Sequence, residues 1–252
     1  IIEMNAIIIA AGSGKRISND VKNIPKSMVN VNGKPIIEYQ LSELKKAGIN
    51  EVCVITGPYS EKFNIKNIKY VKDEKYEKHD ILGSLMEAKK FLEKDTLVLY
   101  SDIIFELKIV EKILSSKEDI SIAVDMNWEK NYKGRTEHPK SEAENVELNS
   151  NEDIIKIKKN IQNTENNVGE FLGIIKFRNM GSEVFVKKYD ELIKNSNGLF
   201  HEAPSILKAY VTDMIQELID SNIKIKPILI SGKWCEIDTM QDLKNAEKIF
   251  SS

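Results

Sequence analysis

The feature that most limits the fold is a short apolar run that ends directly in a glycine turn. Residues 5–11 are apolar after Asn5 and rich in isoleucine, and Gly12-Ser13-Gly14 follows at once, with Lys15 and Arg16 behind it. A run of this length and composition predicts a buried strand, and the glycines predict a tight turn at its carboxyl end. Free backbone N–H groups in such a turn, beside two cations, predict an anion-binding nest.

Two familiar phosphate loops are excluded by single positions. A P-loop requires a glycine five residues before the Gly-Lys pair and a Ser or Thr after it, but Ile9 and Arg16 stand there. The dinucleotide fingerprint requires a third glycine three residues after Gly14, where Ile17 stands. The loop therefore belongs to neither class.

Predicted strands and helices alternate along the first hundred residues. Strands are predicted over 5–11, 52–56, 69–71, 96–100, 120–125, 171–177 and 225–230. Helices are predicted over 35–47, 82–92, 107–114, 181–194, 205–221 and from Met240 onward. This alternation predicts an α/β fold, with a mostly parallel mixed sheet and helices on both faces.

The polar stretch from Asn127 to Asn167 is predicted to be an insertion that lies outside the core. Its apolar residues concentrate at 146–148 and 154–161, which predicts a small accessory hairpin over the main sheet. A solvated insertion and a substrate lid both stay open. Residues 4–252 are expected to form one domain, and residues 1–3, which precede a Met, are expected to be a remnant of cloning or of a fused upstream domain.

Charge and cysteine content exclude several classes of protein. The chain has 37 Lys and Arg against 39 Asp and Glu, so no strong field attracts nucleic acid or anionic lipid. No apolar run near the N-terminus approaches the roughly 20 residues that cross a bilayer, so we expect a cytoplasmic protein without membrane contact. Cys53 and Cys235 are too few for a disulfide framework and are expected to be reduced, packed thiols.

Five segments together resemble a known family. They are Ala10–Arg16, Pro25-Lys26, residues 32–37 (NGKPII), Ser101-Asp102 and residues 236–238 (EID). In this order they resemble the nucleotidyltransferase (pyrophosphorylase) superfamily, which makes NDP-sugars and CDP-alcohols, and the likeness covers nearly the whole chain. It implies a Rossmann-like nucleotidyltransferase fold with a small inserted lid.

Within that superfamily, the chain most resembles the small cytidylyltransferases that act on phosphocholine or on 2-aminoethylphosphonate. It lacks the Leu-x-Pro-x-Thr element of the sugar-phosphate enzymes and the arginine segments of the isoprenoid enzymes. The run from Tyr132 to Val146 resembles the acceptor loop of phosphonate cytidylyltransferases. Phosphocholine stays open as the alternative acceptor, because Trp128, Tyr132 and Trp234 could form an aromatic cage for a quaternary ammonium.

The resemblance implies transfer of CMP from CTP to a small phosphonate or phosphomonoester, with Mg²⁺ and release of pyrophosphate. It assigns Arg16 to the β and γ phosphates, Lys26 to the α-phosphate, and Asp102 and Asp238 to the metal. The nucleotide is expected to contact Ala10, Ala11, Gly12, Ser13, Gly14, Asp80, Gly83 and Ser84. The acceptor is expected to contact Asp125, Lys133, Arg135, His138, Glu144 and Glu170.

Several interpretations stay open beside these roles. Glu236 is either a third metal ligand or a solvated charge, and His79 is expected to be a polar loop residue, since an ionised acceptor oxygen needs no base. A non-catalytic nucleotide-binding regulator would be marked by loss of Lys26 or of an acidic position, and all of these are present. The sequence leaves open whether the C-terminal helices form a homodimer.

Overall fold

The computed structural model describes residues 3–251; residues 1 and 2 of the expected N-terminal remnant, and Ser252, lie outside the described residues. The strands are β1 Met4–Ala10, β2 Asn30–Val31, β3 Lys34–Pro35, β4 Glu51–Thr56, β5 Lys69–Lys72, β6 Asp95–Tyr100, β7 Ile103–Phe105, β8 Ile120–Asp125, β9 Glu144–Leu148, β10 Ile154–Lys159, β11 Asn167–Phe177, β12 Lys226–Leu229 and β13 Trp234–Glu236. The helices are α1 Ile36–Lys46, α2 Ile81–Met86, α3 Leu107–Leu114, α4 Asn179–Asn195, α5 Val211–Asp220 and α6 Met240–Ile249.

The main sheet is mixed and has β1 near its centre. Strands β5, β4, β1 and β6 lie side by side in parallel, and β11 continues the sheet antiparallel to β6. Beyond β11 come β8, antiparallel to it, and β12, parallel to β8. The arrangement confirms the predicted α/β class and mixed sheet.

Helices cover both faces of the sheet because the buried residues of β1 point alternately to two cores. Ile7 and Ile9 join one core with residues of α2, α4 and α5, whereas Ala6 and Ile8 join the other with residues of α1 and α3. A strand that is buried on both faces must be apolar throughout. The prediction of a buried strand over residues 5–11 is therefore confirmed, with β1 spanning Met4–Ala10.

The hairpin of β9 and β10 differs from the prediction for residues 127–167. β9 pairs with the first half of β11, so the hairpin extends the main sheet rather than lying over it. Val146, Leu148, Ile154 and Ile157 belong to the larger core, and Gln216 on α5 accepts a hydrogen bond from the Ile157 N–H at 2.8 Å. The expectation that this stretch lies outside the core was wrong, because one face of the hairpin packs on α5.

Two predicted helices are shorter in the structure. Residues 206–208 form a single 3₁₀ turn, and α5 begins only at Val211, because the Asp213 carboxylate accepts the Tyr210 N–H at 2.8 Å and caps the helix there. The helix predicted over 82–92 ends at Met86, and a 3₁₀ turn follows over Lys89–Glu93.

The remaining expectations from composition concern membranes and thiols. Among residues 3–251, no helix combines the length and the apolar character that crossing a bilayer requires. Cys53 and Cys235 are both buried and unpaired, and burial raises the pKa of each thiol to about 12. Such thiols are unreactive packing groups, as predicted.

Candidate active site

The glycine turn after β1 folds back over the segment that carries Lys26. The Lys26 N–H donates to the Gly12 carbonyl at 3.1 Å, and the Gly14 N–H donates to the Ile24 carbonyl at 3.1 Å. A Cβ on Gly14 would lie 2.5 Å from the Val21 carbonyl oxygen, so only glycine fits. Gly12 lines a cavity beside the turn. The Gly14 N–H, which was expected to contact phosphate, is instead bonded to the Ile24 carbonyl. Gly14 therefore acts through packing.

Lys26 lies at the centre of an ionic cluster. Its Nζ is 2.8 Å from Asp238 Oδ1 and 3.4 Å from Asp102 Oδ2, and it is only 7% exposed. Arg16 Nη2 lies 3.0 Å from the same Asp238 oxygen, while the rest of the Arg16 side chain is exposed. His138 Nδ1 donates to Asp238 Oδ2 at 3.2 Å. The structure thus brings together both predicted cations and both predicted metal-binding carboxylates.

Asp102 and Asp238 are brought together by a separate two-stranded ribbon that begins just after the carboxyl end of β6. β7 pairs with β13 in antiparallel register, with Glu236 opposite Ile103, and the Ile237 N–H donates to the Asp102 carbonyl at 2.8 Å. Each aspartate lies immediately beyond one end of this ribbon. Asp238 thereby reaches the carboxyl edge of the main sheet, where β6 ends at Tyr100.

The charges of this cluster stabilise one another. Burial disfavours the charged forms, yet the carboxylates of Asp102 and Asp238 raise the pKa of Lys26. Burial alone would raise the pKa of the Asp238 carboxyl. The hydrogen bond from His138 and the charges of Lys26 and Arg16 instead lower this pKa well below its usual range. The pKa of Asp102 is raised, because its burial outweighs its more distant contact with Lys26. The Asp238 carboxylate is therefore held in its ionised form near neutral pH.

The first cavity, of about 330 Å³, runs from the ionic cluster past the end of β1. It is lined by Ile9, Ala11, Gly12, Arg16, Lys26, Tyr76, His79, Asp80, Ile81, Ser84, Tyr100, Ser101 and Asp102. Of the residues predicted to contact nucleotide, Ala10, Ser13, Gly14 and Gly83 lie outside this lining. Gly83 has a packing role, since a Cβ there would lie 2.2 Å from His79 Nδ1.

One wall of the first cavity is held by Asp73, which the sequence analysis missed. The Asp73 carboxylate accepts from His79 Nε2 at 2.6 Å and from the Ser84 hydroxyl at 2.7 Å. His79 lies in a loop, as expected, and its side chain is buried and bonded there. Asp80 caps α2, accepting the Ile81 N–H at 2.8 Å. One feature of the sequence could have identified Asp73: it closely follows a predicted strand, as Asp102 does.

The second cavity, of about 190 Å³, adjoins the first and shares Arg16, Asp80, Ile81, Tyr100 and Asp102 with it. Its other lining residues are Ile103, His138, Glu142, Glu144, Lys159, Glu170, Phe171, Leu172, Tyr210, Trp234, Glu236 and Asp238. Carboxylates outnumber cations in this lining. The sequence analysis predicted Glu144, Glu170 and His138 here, and it missed Glu142, Lys159 and Tyr210, which converge only in three dimensions.

Glu144 and Glu170, in the second cavity, both have strongly raised pKa values. Burial, with the neighbouring Glu236 charge, raises the pKa of Glu144 to about 8 and raises that of Glu170 well above its usual range. The Tyr132 hydroxyl donates to Glu170 Oε1 at 2.8 Å. Within residues 3–251, the buried atom Glu170 Oε2 has no hydrogen-bond partner. A buried oxygen of this kind favours a ligand that donates a hydrogen bond.

Arg135, Lys133 and Asp125 lie outside both cavity linings, in contrast to the predicted contact with an acceptor. The Arg135 guanidinium binds Asp242 through Nε at 2.6 Å and Nη2 at 3.0 Å, and Glu236 through Nη2 at 2.8 Å. Asp242 also accepts the backbone N–H of Asp238 at 3.0 Å. Arg135 therefore holds the turn that carries Asp238.

Asp125 and Lys133 are likewise used or placed elsewhere. The Asp125 carboxylate accepts from Trp234 Nε1 and from the Asn127 N–H, both at 2.8 Å. Lys133 is exposed and lines an outer depression beside α6. Neither side chain faces the carboxylates of the second cavity.

The aromatic residues around the second cavity differ from the predicted cage. Trp128 and Tyr132 pack edge to face in a small cluster of their own, and Trp128 Nε1 donates to the Val168 carbonyl at 2.9 Å. Trp234 does line the cavity, together with Tyr100, Phe171 and Tyr210. Only one of the three predicted cage residues is therefore available to a ligand.

Similar proteins include a relative that matches over nearly its whole length and another that matches over about half of its length. A CTP:phosphoglutamine cytidylyltransferase of Campylobacter jejuni is 32% identical over 254 residues, which cover 96% of this chain and 98% of that protein. A choline-phosphate cytidylyltransferase of Streptococcus pneumoniae is 37% identical over 107 residues, 41% of this chain and 47% of that protein.

The fold and a family domain agree with these relatives. The solved structure of CTP:phosphocholine cytidylyltransferase from Streptococcus pneumoniae superposes with a TM-score of 0.71 at 22% identity, covering 99% of this chain and all of that one. Residues 6–144, more than half of the chain, match the MobA-like NTP transferase domain. With the glycine turn, Lys26 and the paired aspartates, these matches show that the chain belongs to the MobA-like NTP transferase family.

Proposed function

We propose that this protein is a Mg²⁺-dependent cytidylyltransferase that transfers CMP from CTP to a small phosphonate or phosphate bearing a primary ammonium group, with 2-aminoethylphosphonate as the leading acceptor. The observation that carries the acceptor class is the buried, unpartnered oxygen of Glu170 in a cavity whose carboxylates outnumber its cations, within the described part of the chain. CTP as donor rests on the relatives, whose names specify it.

The reaction is an in-line displacement at the α-phosphorus. An acceptor oxygen forms a bond to the α-phosphorus of CTP while the bond to the β-phosphate oxygen breaks, and pyrophosphate leaves. The acceptor oxygen is already ionised near neutral pH, so no general base is required. The protein must neutralise two anions that approach each other, and the clustered Lys26 and Arg16 are suited to that task.

Mg²⁺ fits the paired aspartates. Asp102 and Asp238 both reach the single Lys26 ammonium, so one small cation can contact both carboxylates. Among residues 3–251, the buried atom Asp102 Oδ1 has no partner, as expected of an oxygen that a hard cation would bind. Bound Mg²⁺ would supply charge neutralisation for the phosphates. Glu236 is less suited, since its Oε1 accepts from Arg135 at 2.8 Å.

The acceptor's nitrogen is the basis for choosing among candidates. A primary ammonium can donate hydrogen bonds to Glu170 and Glu144, whereas a quaternary ammonium has no N–H to donate and relies on aromatic faces. The second cavity presents aromatic side chains as well, but they lie among carboxylates rather than forming a closed box. This favours a primary amine over phosphocholine.

Phosphoglutamine is the second candidate, because a relative that matches this chain over nearly its whole length is a CTP:phosphoglutamine cytidylyltransferase. Its amino-acid ammonium would be bound by the same carboxylates as the ammonium of 2-aminoethylphosphonate. Both candidates therefore share the recognition that we propose.

The test is a pyrophosphate-release assay with CTP and Mg²⁺ across four acceptors. They are 2-aminoethylphosphonate, its hydroxyl counterpart 2-hydroxyethylphosphonate, phosphoglutamine and phosphocholine. We expect kcat/KM for 2-aminoethylphosphonate to exceed that for the hydroxyl counterpart more than about tenfold, roughly 1.4 kcal/mol of discrimination. A preference for phosphocholine or for the hydroxyl compound would contradict ammonium recognition by Glu170. Binding of CTP without turnover of any acceptor would support the non-catalytic regulator instead.

A further inference from the structure

Asp73 is fully buried beyond the end of β5 and has no part in the chemistry proposed above. Its backbone N–H donates to the Thr56 carbonyl at 2.7 Å, which anchors it to the neighbouring strand β4. Its carboxylate accepts from His79 Nε2, from the Ser84 hydroxyl and, at 2.9 Å, from the Lys75 N–H. A buried carboxylate with this many donors is held in one orientation.

These bonds decide how Ser84 presents itself to the first cavity. An ionised carboxylate only accepts hydrogen bonds, so the Ser84 hydroxyl proton must point at Asp73. The remaining lone pairs of Ser84 Oγ are then available to a second neighbour, but its only proton is not. Ser84 lines the first cavity, and so it offers a ligand a hydrogen-bond acceptor rather than a donor.

The position of Ser84 matches the base end of a bound nucleotide. The cations Arg16 and Lys26 lie at the ionic cluster, on the β6 side of β1. Asp73 is anchored on the other side of β1, at the ends of β4 and β5. A nucleotide whose triphosphate lies at the cations therefore extends its base toward the wall that Asp73 organises.

We propose that Asp73 sets the base preference by holding Ser84 as an acceptor for the exocyclic amino group of cytosine. Uracil carries a carbonyl oxygen at that position, which would face the Ser84 lone pairs without a proton between them. Asp73 is thus a positioning residue that acts through Ser84. The inference rests on the proposed use of CTP.

The experiment measures kcat/KM for CTP and for UTP in the pyrophosphate-release assay, using the full chain and its preferred acceptor. Ser84→Ala removes the hydrogen-bond acceptor without adding bulk. We expect it to lower the ratio of kcat/KM for CTP to kcat/KM for UTP about tenfold, mainly by lowering kcat/KM for CTP. The matched control is Ser182→Ala, which removes a buried hydroxyl that bonds the Lys94 carbonyl away from both cavities. The control should leave the ratio unchanged.

Asp73→Asn supplies a readout that structural damage cannot imitate. An amide nitrogen can donate to Ser84 Oγ, which frees the hydroxyl proton to face the base, so kcat/KM for UTP should rise in absolute terms while that for CTP falls. Should Ser84→Ala lower CTP and UTP equally, Ser84 contacts the ribose or shapes the wall, and the proposal is wrong. It is also wrong if the wild-type protein uses both nucleotides equally well. Absence of turnover with CTP would instead reject the proposed function.

Discussion

In the first cavity, the polar side chains of the wall that Asp73 holds are bonded to one another, whereas in the second cavity a buried carboxylate oxygen has no partner among the described residues. Asp73 binds both His79 and Ser84 within 2.7 Å, so that wall is preorganised. Across the cleft, Glu170 Oε2 is buried without a partner among residues 3–251, and Glu144 is held with a raised pKa. Under the proposed function, the nucleotide side would be preorganised and the acceptor side would be completed only by its ligand.

The largest effect should come from the ionic cluster where the two cavities meet. We expect Lys26→Ala to lower kcat by about 10²-fold or more, because it removes a buried charge that stabilises the transferring phosphate. Steady-state kinetics with saturating CTP and acceptor measures this. Lys15→Ala, which removes an exposed cation from the same turn, should have little effect. Near-normal turnover in Lys26→Ala would contradict the assignment.

The comparison of the two cavities is tested most directly at Glu170. Glu170→Gln keeps the shape but removes the carboxyl group that a bound ammonium would hold in its ionised form, so the KM of the acceptor should rise about tenfold while that of CTP stays within about twofold. The control is Glu147→Gln, a buried glutamate on β9 that bonds Thr164 and Asn166 outside both cavities. Equal changes in the KM values of CTP and of the acceptor would contradict the assignment of the second cavity to the acceptor.

Arg135 should behave as a support for Asp238 rather than as a ligand for the acceptor. Arg135→Lys loses the paired contacts with Asp242, so kcat should fall several-fold and the melting temperature should drop, with the KM values of CTP and acceptor changing alike. Kinetics and thermal unfolding of the variant measure this, with Lys130→Ala as an exposed control. A rise in the acceptor KM alone would instead support the direct contact between Arg135 and the acceptor that the sequence suggested.

The smallest expected effect is a pH dependence of acceptor binding through Glu144. Because its pKa is raised to about 8 in the folded protein, Glu144 is largely neutral at pH 7 and becomes a carboxylate as the pH rises through 8. The KM of an ammonium-bearing acceptor should therefore fall several-fold between pH 7 and 9. Glu144→Gln should lose this part of the dependence while keeping the acceptor's own titration. Identical profiles would show that Glu144 does not face the bound acceptor.

Local patterns predicted the parts of the site that depend on neighbouring residues. The strand, the glycine turn and Lys26 were all recognised because they lie within one short stretch of chain, and their positions agree with the structure. The direction of the Arg135 side chain could not be predicted in this way. Its partner Asp242 is 107 residues away, and a guanidinium beside an acceptor-loop motif looks the same in sequence whichever carboxylate it binds.

Asp73 is a second residue whose role could not be predicted from its neighbours in the sequence. An aspartate that follows a strand is most often a turn residue, and nothing in its own neighbourhood distinguishes one that holds two side chains of a cavity wall. Its role depends on Ser84, eleven positions later, turning back toward it across the start of α2. Such convergence is a property of packing and not of spacing.

The ribbon of β7 and β13 also affects the order in which the chain gains its properties during synthesis. Asp238 lies 212 residues after Lys26, and it is placed only when β13 has left the ribosome and paired with β7. Contacts between such distant segments form late in folding. A nascent chain can therefore shape part of the first cavity while it still lacks one of the two carboxylates on Lys26. The proposed transfer of CMP would therefore require β13, the last strand of the described residues, to be in place.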